Sequence, residues 1–189
     1  MAELVFYYGA MGGRKTTTLI LDEADATRQK KKCIIIKPIL DTRDGEVNGW
    51  GKIKSRVLES EHQALYVDRI NAEDYVLFDN IYVDEIQFFK KEDIIALSDL
   101  VDKHGKNVYC YGLKTAASGE LFEASAQLLA MADRCVELPV QCICGRVATQ
   151  HVRYIDDKVA LNQSGVEVEQ GKVTYKSVCR SCWKEILGR

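Results

Sequence analysis

Three groups of residues in this chain have types and spacings suited to chemistry. The first is Gly9-Ala10-Met11-Gly12-Gly13-Arg14-Lys15-Thr16. Gly9, Lys15 and Thr16 fit the phosphate-loop pattern G-x-x-x-x-G-K-[ST]. In that pattern backbone N–H groups and a helix N-terminus surround phosphate oxygens, the lysine reaches the outer phosphates, and the hydroxyl holds Mg²⁺. Arg14 occupies the last glycine position, and Gly12 and Gly13 just before it can supply part of the missing backbone freedom. The second group is Asp84-Glu85, closing the apolar run Ile81-Tyr82-Val83. One acid there can position Mg²⁺, and its neighbour can take the proton of an attacking hydroxyl. Alone, two acids at a strand end can equally be a helix cap.

The third group is Cys142-x-Cys144 and Cys179-x-x-Cys182. Two short cysteine pairs are the arrangement of a structural Zn²⁺ site, and four protein ligands leave no open position for catalysis. A redox pair or incidental cysteines are the competing readings. The remaining cysteines of the seven, Cys33, Cys110 and Cys135, lie in apolar strand-like runs and read as small core hydrophobes.

These groups need elements to position them. Residues 2–8 read as a buried strand entering the phosphate loop, and residues 16–30 as the helix leaving it. Residues 32–36, 80–84, 107–111 and 134–140 read as further strands, and residues 91–104 and 119–131 as helices. Residues 37–54 read as a long loop, 56–58 as a short strand, and 75–78 as a segment ending a helix. Strands alternating with helices give right-handed crossovers, hence an α/β fold: a phosphate-loop parallel sheet flanked by helices. Short alternating runs after residue 140 read as a small, mainly β lobe that binds zinc. The expected division is therefore 1–140 and 141–189. His62 reads as part of a solvated face.

With 26 Lys plus Arg against 28 Asp plus Glu, the chain lacks the basic balance of a generic nucleic-acid binder. Its apolar stretches are too short to span a bilayer, and residues 1–11 have no charged leader or cleavage site. No nucleic-acid or membrane partner is expected, and the cytoplasm is the expected compartment.

Further motifs stand in one order along the chain. They are KPILDTR at residues 37–43, VDEIQFF at 83–89, YGLKT at 111–115, GELFEAS at 119–125 and GVEVEQGKVTYKSVCRSCW at 165–183. This order resembles the type II thymidine kinases, zinc-containing deoxynucleoside kinases, over almost the whole chain. The resemblance implies transfer of the ATP γ-phosphoryl group to the 5′-hydroxyl of thymidine or deoxyuridine, and a homo-oligomer, dimer or tetramer. It implies Glu85 as general base, Asp84 as the Mg²⁺-linked acid, Lys15 and Arg43 as phosphate-charge stabilisers, and Thr16 as a Mg²⁺ ligand. Gly9, Gly12, Gly13, Arg14, Thr17 and Gln87 would also border ATP and Mg²⁺. Asp41 would contact the sugar. Met11, Phe88, Phe122, His151 and Tyr175 would line the base pocket. A lasso over residues 166–175, with Val166, Val168, Gln170 and Gly171, would close over the base.

The sequence departs from the family pattern at Arg14, at Ala116-Ala117 where Asp-Phe is common, at Leu58 where a glycine is common, and at His151 where a threonine near the thymine methyl is common. These departures keep a second reading open, a catalytically idle nucleotide- or nucleoside-binding protein on the same scaffold. A third is another phosphate-loop ATPase carrying a zinc ribbon, which leaves the tail unexplained.

Overall fold

The computed structural model describes residues 1–40, 46–47, 49–54, 61–160 and 172–189. Its main body is an eight-stranded sheet in the order β3-β4-β5-β2-β6-β7-β1-β8. The strands are β1 (Leu4–Tyr8), β2 (Cys33–Pro38), β3 (Glu46–Val47), β4 (Trp50–Lys54), β5 (Glu61–Val67), β6 (Asn80–Val83), β7 (Asn107–Gly112) and β8 (Arg134–Glu137). From β5 through β8 every pairing is parallel, whereas β3 and β4 extend the edge antiparallel.

Successive side chains of a strand point to opposite faces, and here both faces are covered. Ile34, Ile36, Ile81, Val83 and Cys110 pack with Ile94, Leu97 and Leu100 of α2 (Lys91–Asp102) and with Ala124 and Leu128 of α3 (Glu123–Met131). Ile35, Tyr82 and Tyr111 face the other way, onto Leu19 and Ile20 of α1 (Lys15–Arg28). Strands buried on both sides read as continuous apolar runs, which is why β1, β2, β6 and β7 stand where the sequence predicts them. Strand order 2-6-7-1 puts the carboxyl ends of β1 and β6 on one edge, where α/β folds bind ligands.

A second sheet has the order β10-β9-β11, built from β9 (Gln150–Ile155), β10 (Lys158–Val159) and β11 (Val173–Val178), all antiparallel. Its small core joins Val152, Val178 and Trp183 to Cys142 and Cys179. Among the described residues no helix is long and apolar enough to cross a membrane.

Several local expectations need correction. Residues 50–54 are a strand rather than loop, because Gly51 and Ile53 turn inward while Trp50, Lys52 and Lys54 stay exposed, a period-2 pattern that glycine and lysine obscure. β5 was not anticipated, and His62 on it is half-buried, its Nδ1 2.9 Å from Glu23 Oε2. The helix expected from residue 119 begins at Glu123, since Leu121 bridges to Thr115 in extended form. The strand predicted over 134–140 ends at Glu137. Cys135 is exposed because β8 is the edge strand, and Cys33 is only partly buried, so of the three isolated thiols Cys110 alone is in the core. Helix α4 (Arg180–Ile186) adds an element the β reading of the tail lacked. The strand predicted over 56–58 lies outside the described residues.

Candidate functional site

The phosphate loop leaves β1 through Gly9. A Cβ there would stand 2.3 Å from the Leu138 carbonyl oxygen, so only glycine lets the loop pass the chain leaving β8. Gly12 has φ +82°, and Arg14 has φ 55°, the left-handed region. The pattern's glycine position thus keeps its conformation although a Cβ is present. Arg14 is exposed and is the N-cap of α1; it supplies no side-chain cap, and the first turn carries no acid. Lys15 turns back over the loop, its Nζ donating to the carbonyls of Gly9 at 3.1 Å and Ala10 at 3.0 Å. Burial draws the Lys15 pKa down, opposed by the charges of Glu85 and Asp84.

Asp84 follows β6 and is 2% exposed. Thr16 Oγ1 donates to its Oδ2 at 3.1 Å, joining the start of α1 to the end of β6. Burial first, then the neighbouring Glu85 charge, pushes the Asp84 carboxyl up to about 7, against the opposing charge of Lys37. The Thr16–Asp84 separation suits two adjacent ligands of an octahedral Mg²⁺, which at a bond length of about 2.1 Å lie about 3 Å apart. Glu85 has φ 50°, which turns its half-buried side chain out of the strand direction. Gln87 Nε2 donates to Glu85 Oε2, and Gln87 Oε1 accepts the Leu113 N–H at 2.9 Å. Gly112 makes room for this link, since a Cβ there would meet Gln87 Oε1 at 2.5 Å.

Beyond the acids, Phe88 and Phe122 meet edge to face with ring centroids 6.4 Å apart, and Phe88 is 38% exposed. Met11 meets the small sheet: its N–H donates to His151 Nε2 at 3.0 Å, and its carbonyl accepts from Ser177 Oγ at 2.8 Å. Ala117, one of the departures from the family pattern, is buried, and its carbonyl accepts from Trp183 Nε1 at 3.3 Å. Tyr175 is exposed on β11.

The sulfurs of Cys142, Cys144, Cys179 and Cys182 all lie within 4.8 Å of one another, Cys144 and Cys179 at 3.6 Å. Tetrahedral Zn²⁺ with bonds of about 2.3 Å needs sulfurs about 3.8 Å apart, so the donor set fits that ion in size and chemistry. Arg146 Nε donates to Cys144 Sγ at 3.5 Å, and this bond leads the forces that lower the Cys144 thiol to about 6, toward the thiolate a metal binds.

The sequence model for the family described as thymidine kinase matches residues 2–183. The chain belongs to the thymidine kinase family. It is 37% identical over 196 residues to a protein named thymidine kinase from Vibrio vulnificus (strain CMCP6), covering 100% of both chains. It is 36% identical over 202 residues to one from Haemophilus influenzae, with 100% of both covered. With the thymidine kinase of Enterobacteria phage T4 it shares 31% over 193 residues, 98% of this chain and 97% of the phage protein.

Within this family member, Lys15, Thr16, Asp84, Glu85 and Gln87 come together at the carboxyl edge of the sheet, while Met11 and His151 join that edge to the small antiparallel sheet. Asp41, Arg43, Val166, Val168, Gln170 and Gly171 lie outside the described residues. Sequence reasoning missed Lys37, Gly112, Ser177 and Trp183. Lys37 is a lysine 2% exposed, its Nζ 5.5 Å from the Tyr66 ring centroid. It stands in KPILDTR directly after the apolar run 32–36, where the sequence predicts a loop although β2 continues to Pro38. Ser177 sits in an alternating strand and carries no signal.

Proposed function

We propose that this chain transfers the γ-phosphoryl group of ATP to the 5′-hydroxyl of thymidine or deoxyuridine. The observation that carries the reading is the Thr16–Asp84 hydrogen bond, which ties an uncapped helix start to the buried member of the acid pair, in a chain that one kinase family matches over residues 2–183. The uncapped start of α1 receives the phosphates on its amide groups and its positive dipole end. Lys15 leaves the Gly9 and Ala10 carbonyls for the outer phosphates. Thr16 and Asp84 would hold Mg²⁺, which supplies neutralisation of phosphate charge when bound. Glu85, oriented by Gln87, takes the proton of the 5′-hydroxyl. The new O–P bond forms as the bond from the γ-phosphorus to the β-phosphate oxygen breaks, giving the 5′-monophosphate and ADP.

Met11, Phe88, Phe122 and Tyr175 are the proposed walls of the base pocket. Asp41 is assigned to the sugar, Arg43 to phosphate charge, and residues 166–175 to closure over the base. The four cysteines would hold one Zn²⁺ and with it the lobe of residues 141–189. A homo-oligomer in the cytoplasm is proposed.

A coupled assay for ADP tests this. Wild type is expected to turn over thymidine or deoxyuridine with Mg·ATP, and Glu85→Gln to lower kcat by about 10²–10⁴. Absence of turnover on both nucleosides overturns the reading.

A further inference from the structure

Both backbone polar groups of Met11, in the middle of the phosphate loop, are held by side chains of the small sheet. The N–H donates to His151 Nε2 at 3.0 Å and the carbonyl accepts from Ser177 Oγ at 2.8 Å. His151 on β9 and Ser177 on β11 are register partners. Directly paired residues present their side chains on one face of a sheet, so a single cross-strand pair grips a single loop residue. The backbone of His151 is itself held: its carbonyl accepts from Trp183 Nε1 at 3.1 Å. Trp183 follows the cysteine ligand Cys182 on α4, and the same indole reaches the Ala117 carbonyl.

We propose that His151 and Ser177 are positioning residues that clamp Met11 and so transmit the order of the zinc lobe to the nucleotide-binding loop. The loop needs such support. Met11 is followed by Gly12 at φ +82° and by Gly13, two residues that leave the unbound chain many conformations. Fixing the residue before them shapes the loop before a phosphate arrives, and preorganisation of that kind is worth affinity.

The chemistry of the ring fits the task. A backbone N–H only donates, so Nε2 must be the acceptor and the proton of the neutral ring sits on Nδ1. A protonated ring would present two donors and lose Met11. His151 is 3% exposed, and burial, followed by the Lys15 ammonium, holds its pKa down at about 4, so the accepting form persists at neutral pH. With Nε2 engaged by Met11, His151 acts on the loop rather than on a nucleoside base.

The ligand of the loop rests on the kinase reading above, so the test uses Mg·ADP without any nucleoside. Calorimetry on the full chain compares wild type with His151→Leu, His151→Gln, Ser177→Ala and the His151→Leu/Ser177→Ala double variant. Loss of the buried acceptor in His151→Leu is expected to weaken ADP by about 10- to 100-fold, and Ser177→Ala by about 3- to 10-fold. Glutamine, whose amide oxygen can accept the same N–H, should recover most of the loss. Because both residues act through Met11, the double variant should lose less than the product of the single losses. In turnover the effect should fall more on KM for ATP than on kcat.

A purely structural role would lower thermal stability and the active fraction while leaving ADP affinity per folded molecule intact, and that result overturns the proposal. So does a glutamine variant as weak as the leucine one, a fully multiplicative double variant, or a wild type that binds no ADP. Should His151→Leu not fold, Ser177→Ala decides alone, and unchanged affinity there overturns the clamp. If wild type ignores thymidine and deoxyuridine but binds ADP and the variants weaken it, the kinase reading fails and the clamp stands. If nucleosides are turned over and all variants bind ADP normally, the clamp fails and the kinase reading stands.

Discussion

Helices α1 and α2 occupy equivalent places in the fold, and their first turns are built in opposite ways. Each follows a strand of the parallel sheet at its carboxyl edge. The start of α2 closes on its own residue: Asp93, 6% exposed, accepts the Lys90 N–H at 2.9 Å and the Ile70 N–H at 2.8 Å. Glu92 adds a second acid to that turn. The start of α1 has no side-chain cap and no acid, and the loop before it is held from a separate sheet by His151 and Ser177. Two carboxylates in a first turn oppose the pull of the helix dipole on anions, and Asp93 also fastens the backbone of Lys90 and of Ile70 to that turn. A helix start supported from outside keeps its amide groups and dipole for a ligand. The difference teaches where binding capacity comes from: stabilisation withheld locally and replaced by a distant contact.

The sharpest way to break this comparison is to strip each start of its principal side chain. Lys15→Ala is expected to lower kcat/KM by about 10²–10³, the scale for losing a donor that meets developing negative charge. Its melting temperature should move little, because the desolvation of the ammonium offsets its two hydrogen bonds to carbonyls and the attraction of Glu85 and Asp84. Asp93→Ala should do the reverse. It strands two backbone N–H groups, one on the buried residue Ile70, and is expected to destabilise the protein by about 2–4 kcal/mol. Turnover per folded molecule should stay within about twofold of wild type. Denaturation and steady-state kinetics on both variants check the pair. If Asp93→Ala abolished turnover at intact stability, the α2 start would belong to the site as well.

What the sequence discloses follows the same division between local and imported order. The phosphate loop, the Asp84-Glu85 pair and the four cysteines are legible because each is contiguous or nearly so and uses residue types tied to one chemistry. β2, β6 and β7 are legible because covering both faces of a parallel sheet demands unbroken apolar runs. β4 and β5 are not, since toward the antiparallel end of the sheet buried and more exposed residues alternate, and Gly51 hides even that in β4. α4 escapes notice because its seven residues begin directly after Cys179 and look like a metal-ligand turn. The clamp on Met11 is the least legible part. It depends on the register of β9 against β11 and on how that sheet docks on the loop, and neither leaves a motif. His151 is noticeable from sequence only as a departure from a family pattern, and its partner in the structure is a backbone amide.

Arg14 gives the finest test of whether the α1 start is open. A residue with a Cβ at φ 55° carries about 1–2 kcal/mol of strain that glycine would not, and part of that gain returns to the more flexible unfolded chain. Arg14→Gly is therefore expected to stabilise the protein by about 0.5 kcal/mol, raising the melting temperature by roughly 1–2 °C for a chain of this size. The exposed guanidinium sits beside the helix start without capping it, and removing one solvated charge should change Mg·ADP affinity by less than about threefold. Thermal melts and ADP calorimetry on the variant measure both quantities. A gain in affinity of tenfold or more would mean that the arginine fills the space a phosphate needs. In that case α1, like α2, would carry its own plug, and the contrast between the two helix starts would collapse into a difference of charge sign.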